Sequence, residues 1–241
     1  MVRVTRRLFI ASLLVVVLPH GGFAQQPDGT LRIYLARHGQ TYWNLEGRIQ
    51  GAMDIPLNAT GRRQAAELAE RLKGVQLNAV YSSQLSRSRE TAEIAHGSAP
   101  LMPLAGLNER RLGKFEGQKL SRSTTGGSAP GATPAQDPLT REYDRRIADP
   151  DDALDTGESL KDCAARIART VADLRAKHRS GTILIVGHSL ANQMVLKALL
   201  GLTFEQATKI QQANDDLFLI EFSGSEPPRT FKLVDWAVGA R

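Results

Sequence analysis

Six short apolar runs, separated by stretches of helical periodicity, constrain the fold more than any other feature of this sequence. The runs span 31–36, 77–81, 101–104, 182–187, 216–222 and 230–236, each solid or alternating in apolar character, as strands are. Between them, Asn58 is placed to cap a helix over 59–73, with Ala65, Leu68, Ala69 and Leu72 on one face. Leu160, Cys163, Ala164, Ile167, Val171 and Leu174 recur at i, i+3, i+4 and i+7, which predicts a long amphipathic helix over 158–178. Strands alternating with helices imply an α/β fold, a three-layer sandwich whose mainly parallel central sheet is flanked by helices. No repeat period is present.

Composition narrows the class. In 241 residues, 41% are hydrophobic and 23% charged, which excludes a wholly disordered or collagen-like chain. A single cysteine excludes an intrachain disulfide framework and a multi-cysteine zinc site. Cys163 lies on the apolar face of its helix and reads as a buried structural thiol. The net charge of +6 would by itself suggest nucleic acid or an acidic membrane surface.

Much of that charge sits in a segment that reads as an address. Arg3, Arg6 and Arg7 precede an apolar run over 8–18, which is broken by Pro19, His20, Gly21 and Gly22. Gly22 and Ala24 then place small residues before a cut ahead of Gln25, the layout of a secretory signal peptide. The run is too short for a stable membrane span, since a bilayer core needs about 20 residues. Arg6-Arg7 resembles the twin-arginine export signal, with general export as the alternative. The expectation is a signal peptide over 1–24, a periplasmic or secreted location, and one mature domain over 25–241. Cleavage removes three arginines and lowers the charge from +6 to +3. That residue of charge, with no basic run or interleaved aromatics, gives no reason to expect a nucleic-acid partner. Residues 123–136 carry no charge and no large apolar side chain, so a flexible insertion is expected over 121–137.

The chemistry gathers where the strands end, which is where α/β sheets bind ligands. The first run enters Arg37-His38-Gly39, the second leads through Ser82-Ser83 to Arg87, and the fourth enters His188-Ser189 at a helix start. Glu109 follows the third. Two histidines, two arginines and one glutamate suit phosphoryl transfer. A neutral imidazole is a nucleophile near neutral pH, arginines grip phosphate oxygens, and a helix N-terminus adds N–H donors. A carboxyl group can protonate the leaving oxygen. Competing readings apply elsewhere. His96 and His178 fall near helix C-termini and suit a capping or surface role. Arg89 reads as structural or secondary, and Glu116 competes with Glu109.

Arg37-His38-Gly39-Gln40-Thr41-Tyr42-Trp43-Asn44 resembles the signature of the histidine phosphatase superfamily, in its phosphoglycerate mutase-like branch. The resemblance continues through Gly47-Arg48-Ile49-Gln50-Gly51, Tyr81-Ser82-Ser83 with Arg87, Leu107-Asn108-Glu109-Arg110, Gly157-Glu158-Ser159-Leu160 and Gly187-His188-Ser189. It implies His38 as the phosphorylated nucleophile, Arg37, Arg87 and His188 as phosphoryl ligands, and Glu109 as proton donor. Asn44 and Gln50 are implied substrate contacts, and Arg110 and Ser189 join them as candidates. No metal ion and no cofactor is expected, and the partner is a small-molecule phosphoester.

Three activities follow from the resemblance. Leu-Asn-Glu-Arg at 107–110, Gly-Glu-Ser-Leu at 157–160 and the pair Arg145-Arg146 look mutase-like, the pair standing where mutases bind a substrate carboxylate. Lys114-Phe115-Glu116-Gly117 resembles the phosphatase form of its loop, and the insertion replaces a stretch with which mutases close the site. An exported enzyme lacks a steady supply of glycolytic substrate and bisphosphate primer. The expected activity is therefore a metal-independent, acid-type phosphomonoester hydrolase, with a phosphoglycerate mutase as the alternative and a non-catalytic phospholigand-binding module as the third reading.

Overall fold

A computed structural model describes residues 29–120 and 137–233. The expected signal peptide over 1–24, almost all of the insertion over 121–137, and the end of the sixth strand run lie outside the described residues. Asp137, at the edge of that insertion, belongs to a helix start: its side chain caps the helix that follows by accepting from Thr140 N.

The strands are β1 (Thr30–Arg37), β2 (Ala79–Ser82), β3 (Leu101–Pro103), β4 (Gly181–Gly187), β5 (Leu217–Ser223) and β6 (Arg229–Leu233). The helices are α1 (Tyr42–Glu46), α2 (Ala59–Arg71), α3 (Ser86–Ala95), α4 (Pro138–Ile147), α5 (Leu160–Lys177), α6 (Ser189–Leu200) and α7 (Phe204–Thr208), with 3₁₀ turns at Ala105–Leu107 and Gly113–Phe115. One sheet runs in the order β3-β2-β4-β1-β5-β6. β1 through β4 are mutually parallel, and β5 pairs antiparallel with β1 and with β6. The expected mainly parallel sheet is present, with one reversed strand.

Why the central strands read as solid apolar runs is now plain: both of their faces are buried. Ile33, Leu35, Tyr81, Ile183, Ile185, Phe218 and Ile220 meet Ile167, Val171 and Val195 of α5 and α6 on one side. The alternate residues Tyr34, Ala36, Val80, Leu184, Val186 and Leu219 meet Leu68 of α2 and Ala92 of α3 on the other. Cys163 is fully buried in the first cluster, and burial pushes its thiol up to about 12. Both expected helices form. Asn58 caps α2 by accepting from Gly61 N at 2.8 Å, and Ser159 caps α5 by accepting from Asp162 N at 3.0 Å. A satellite cluster of Leu112, Phe115, Tyr143 and Leu154 stands apart from the sheet. Among the described residues no helix is long and apolar enough to cross a membrane.

Candidate active site

Strand register builds the centre of the site. β1 and β4 pair in parallel with Arg37 opposite Gly187, so His38 and His188 are the first residues beyond two paired strand ends. The ladder continues one step, with His38 N donating to Gly187 O at 3.0 Å. The two rings lie with centroids 5.1 Å apart, and both residues are buried. Ser83, one step beyond β2, reaches the same place and bonds His188 Nε2 through its Oγ at 2.7 Å.

Hydrogen bonding assigns the proton on the His38 ring and constrains the one on His188. His38 Nδ1 is 2.7 Å from the carbonyl of Gly39, which can only accept, so Nδ1 carries the proton and Nε2 keeps its lone pair. Ser83 Oγ already accepts from Leu85 N at 3.1 Å and has its own proton to give to His188 Nε2. With that proton given, neutral His188 carries its own on Nδ1, an atom that is buried without a partner among the described residues. Burial, then the charges of Arg87 and Arg37, hold His38 well below its ordinary 6.5. His188 is lowered well below 6.5 by burial first, then by Arg87, His38 and Arg37. Both rings are neutral at neutral pH.

Arg87 stands in the first turn of α3, fully buried. Its Nη1 donates to Met53 O at 2.6 Å and its Nη2 to Gly51 O at 2.8 Å, which fixes the plane of the guanidinium. Burial lowers it to about 10, so it remains a cation at neutral pH. Arg37 Nη1 donates to Gln212 O at 2.8 Å. The Nε atoms of both arginines are buried and unpartnered among the described residues, as is His188 Nδ1. The charge of Glu109 acts on both Arg37 and Arg87, opposing the lowering that burial causes.

Glu109 leaves the turn at Ala105–Leu107 and ends at the N-terminus of α6. Its Oε1 accepts from Ala191 N and Arg110 N, both at 2.9 Å, and its Oε2 accepts from Leu190 N at 3.2 Å. The N–H groups that the sequence offered to a phosphate are thus taken by this carboxylate, because His188 provides no side-chain cap of its own. Glu116 is used differently. Its Oε1 accepts from Ala52 N and Leu112 N at 2.8 Å each, tying two loops together.

The remaining candidates divide. Asn44 Oδ1 accepts from Thr41 N and Oγ1 in a capping box of α1, and Gln50 Oε1 accepts from Thr41 Oγ1 at 3.0 Å. Ser189 begins α6 beside His188 and is half-buried. Arg110 is not brought to the pocket. It is fully buried, its Nε donating to Glu158 O at 2.7 Å and its Nη2 to Asp152 O at 3.0 Å, because two carbonyls of the neighbouring loop draw it away. Arg146 is likewise engaged. It forks onto Asp152 at 2.7 and 2.8 Å and meets Asp155 at 2.9 Å, while Arg145 stands exposed. His178 is no surface cation: Tyr81 OH bonds its Nε2 at 2.7 Å, and burial lowers its pKa.

Several supports escaped the sequence reading. Gln212 Nε2 donates to Leu35 O at 3.0 Å while its own carbonyl holds Arg37, and Asn214 Nδ2 donates to His38 O at 2.7 Å. Asn192 Nδ2 bridges Ala36 O and Gln212 Oε1. The i+4 spacing from His188 to Asn192 was a legible signal, whereas the polar run at 211–216 carried none.

Similarity to known proteins agrees with this geometry. The model of the histidine phosphatase superfamily (branch 1) matches residues 33–236. The "Uncharacterized phosphatase PhoE" of Bacillus subtilis is 31% identical over 194 residues, covering 79% of this chain and 88% of the relative. The "Probable phosphoglycerate mutase GpmB" of Proteus mirabilis is 29% identical over 199 residues, covering 81% and 86%. Among solved structures, mycobacterial glucosyl-3-phosphoglycerate phosphatase superposes with a TM-score of 0.64 at 28% identity, covering 83% of this chain and 96% of that one. With a model matched along 33–236 and paired histidines at the strand ends, this chain belongs to branch 1 of the histidine phosphatase superfamily.

Proposed function

We propose that the chain is a phosphomonoester hydrolase working through a phosphohistidine on His38. The observation that carries this reading is the state of that ring: neutral, proton fixed on Nδ1 by Gly39 O, lone pair on Nε2, with the charges of buried Arg87 and half-buried Arg37 acting on it. Nε2 attacks phosphorus, the P–O bond to the leaving group breaks, and the carboxyl of Glu109 gives its proton to the departing oxygen. Water then attacks the phosphohistidine, the Glu109 carboxylate takes a proton from it, and the P–N bond breaks to release phosphate and neutral His38. Arg37, Arg87 and the Nδ1–H of His188 hold the phosphoryl oxygens, with Asn44, Gln50 and Ser189 around them. Leaving a buried donor unpaired costs about 1–3 kcal/mol, so the three unpartnered nitrogens here favour a bound anion.

Hydrolysis is favoured over mutase activity by Arg146. Its fork is committed to Asp152 and Asp155, and it is not free to hold a substrate carboxylate. The substrate class is a small phosphorylated metabolite or an exported phosphoester. The enzyme works without metal, the arginines and His188 supplying the charge that a metal would otherwise supply. The N-terminal sequence supports export to the periplasm or beyond.

The decisive experiment gives p-nitrophenyl phosphate and 3-phosphoglycerate to the purified protein, with and without EDTA. Phosphate release that survives EDTA, and that falls by a factor of about 10³ or more in His38→Ala, is expected. Formation of 2-phosphoglycerate ahead of phosphate would replace hydrolase with mutase. Absence of turnover on both would leave a phospholigand-binding module.

A further inference from the structure

We propose that Arg166, on α5, is a positioning residue that aims the Glu109 carboxyl at the leaving oxygen. The inference rests on the reading of Glu109 as proton donor. Arg166 touches none of the transferring groups. Its Nε and Nη2 fork onto Glu158 Oε1 and Oε2 at 2.9 and 2.8 Å, and its Nη1 donates to the carbonyls of Gly106 and Asn108, both at 3.0 Å. Glu158 in turn grips the other side of Glu109. Its carbonyl accepts from Arg110 Nε at 2.7 Å, and its N–H donates to Arg111 O at 2.9 Å. The segment from Gly106 to Arg111 is therefore held before Glu109 by the Arg166 guanidinium and after it by the main chain of Glu158, whose carboxylate the same guanidinium grips.

The clamp seats the segment directly on α5. A Cβ on Gly106 would stand 1.9 Å from Thr170 Oγ1, one turn beyond Arg166, so backbone and helix are in contact there. From that seat the Glu109 side chain turns to the N-terminus of α6, the helix that follows His188. Proton transfer needs hydrogen-bond reach, and a misplacement of about 1 Å costs about 10²-fold in rate. Four donated hydrogen bonds from one rigid guanidinium suit arginine alone. Lysine offers a point charge and no fork.

Leaving-group dependence tests this. An aryl ester such as p-nitrophenyl phosphate departs without help, whereas an alkyl ester such as propyl phosphate needs its oxygen protonated. We compare kcat/KM on both for wild type, Glu109→Gln, Arg166→Met and Arg166→Lys. Both Arg166 variants are expected to lose about 10²-fold on propyl phosphate and under about tenfold on the aryl ester, following the Glu109→Gln pattern. Equal losses on the two esters, or an unchanged ratio, in folded Arg166 variants overturns the proposal while a selective Glu109→Gln defect keeps the proton-donor reading. A Glu109→Gln variant that loses both esters equally removes that reading, and the proposal with it. Thermal melting checks folding. If Arg166→Met does not fold, Arg166→Lys decides by the same ratio.

Discussion

His38 and His188 tie the proposed catalysis to stability through one quantity, the proton affinity of a buried ring. Both are held well below 6.5, with burial the largest cause and neighbouring arginines next. In the unfolded chain each returns to about 6.5. Between the lowered folded value and 6.5, the unfolded chain binds more protons, so stability is full above about pH 6.5 and declines as pH falls below it. Each ring contributes a slope of up to about 1.4 kcal/mol per pH unit in that window. Urea melts of wild type and a His38→Gln, His188→Gln double variant, at about pH 7 and about pH 5, should show a shallower acid loss for the variant. Equal losses would mean the rings are not neutral in the folded state. The same lowering would keep His38, the proposed nucleophile, unprotonated in mild acid. At this scale the sequence was readable where a residue's place followed from a strand end: Arg37, His38 and His188. Arg110 was misread because its partners, Asp152 and Glu158, lie more than 40 positions away, and spacing carries no trace of them.

Two stretches of backbone meet tightly where the loop after β1 crosses the start of α2. A Cβ on Gly39 would stand 2.3 Å from Gly61 O, and one on Gly61 would stand 2.1 Å from Gln40 O. Both contacts are backbone on backbone, so neither can yield by turning a side chain. Helix propensity favours Ala over Gly by about 1 kcal/mol, which taken alone makes Gly61→Ala stabilising. Overpacking costs about 1–3 kcal/mol and should win here. The expected outcome is a lower denaturation midpoint, with reduced turnover as residues 38–40 shift; a raised midpoint would show that the crossing is slack. Element boundaries were largely legible because capping is local: Asn58 lies three residues from the N–H it satisfies, and Ser159 likewise. The capping of α6 was not legible. Its acceptor, Glu109, comes from 82 positions away, and only the folded sheet brings the two together.

For the whole molecule, the proposed export would make the charge of +6 a property of the precursor alone. Export should yield a protein beginning at Gln25 with a charge of +3, checked by intact mass of the protein recovered from the periplasm of a bacterial host. Arg6→Lys with Arg7→Lys should hold the precursor back if the twin-arginine route carries it, and export that persists would assign it to the general route. The register between β1 and β4 has a further bearing on what this architecture permits. Because Arg37 faces Gly187 in a hydrogen-bonded ladder, the spacing of the two imidazoles is set by backbone repeat distances rather than by any loop. The proposed contacts to the rest of a substrate, Asn44 and Gln50, sit instead on α1 and on the loop that follows it. Loop exchange can therefore retarget such a scaffold to new esters without re-engineering the transfer chemistry, since the part that selects and the part that reacts are held by different structural means.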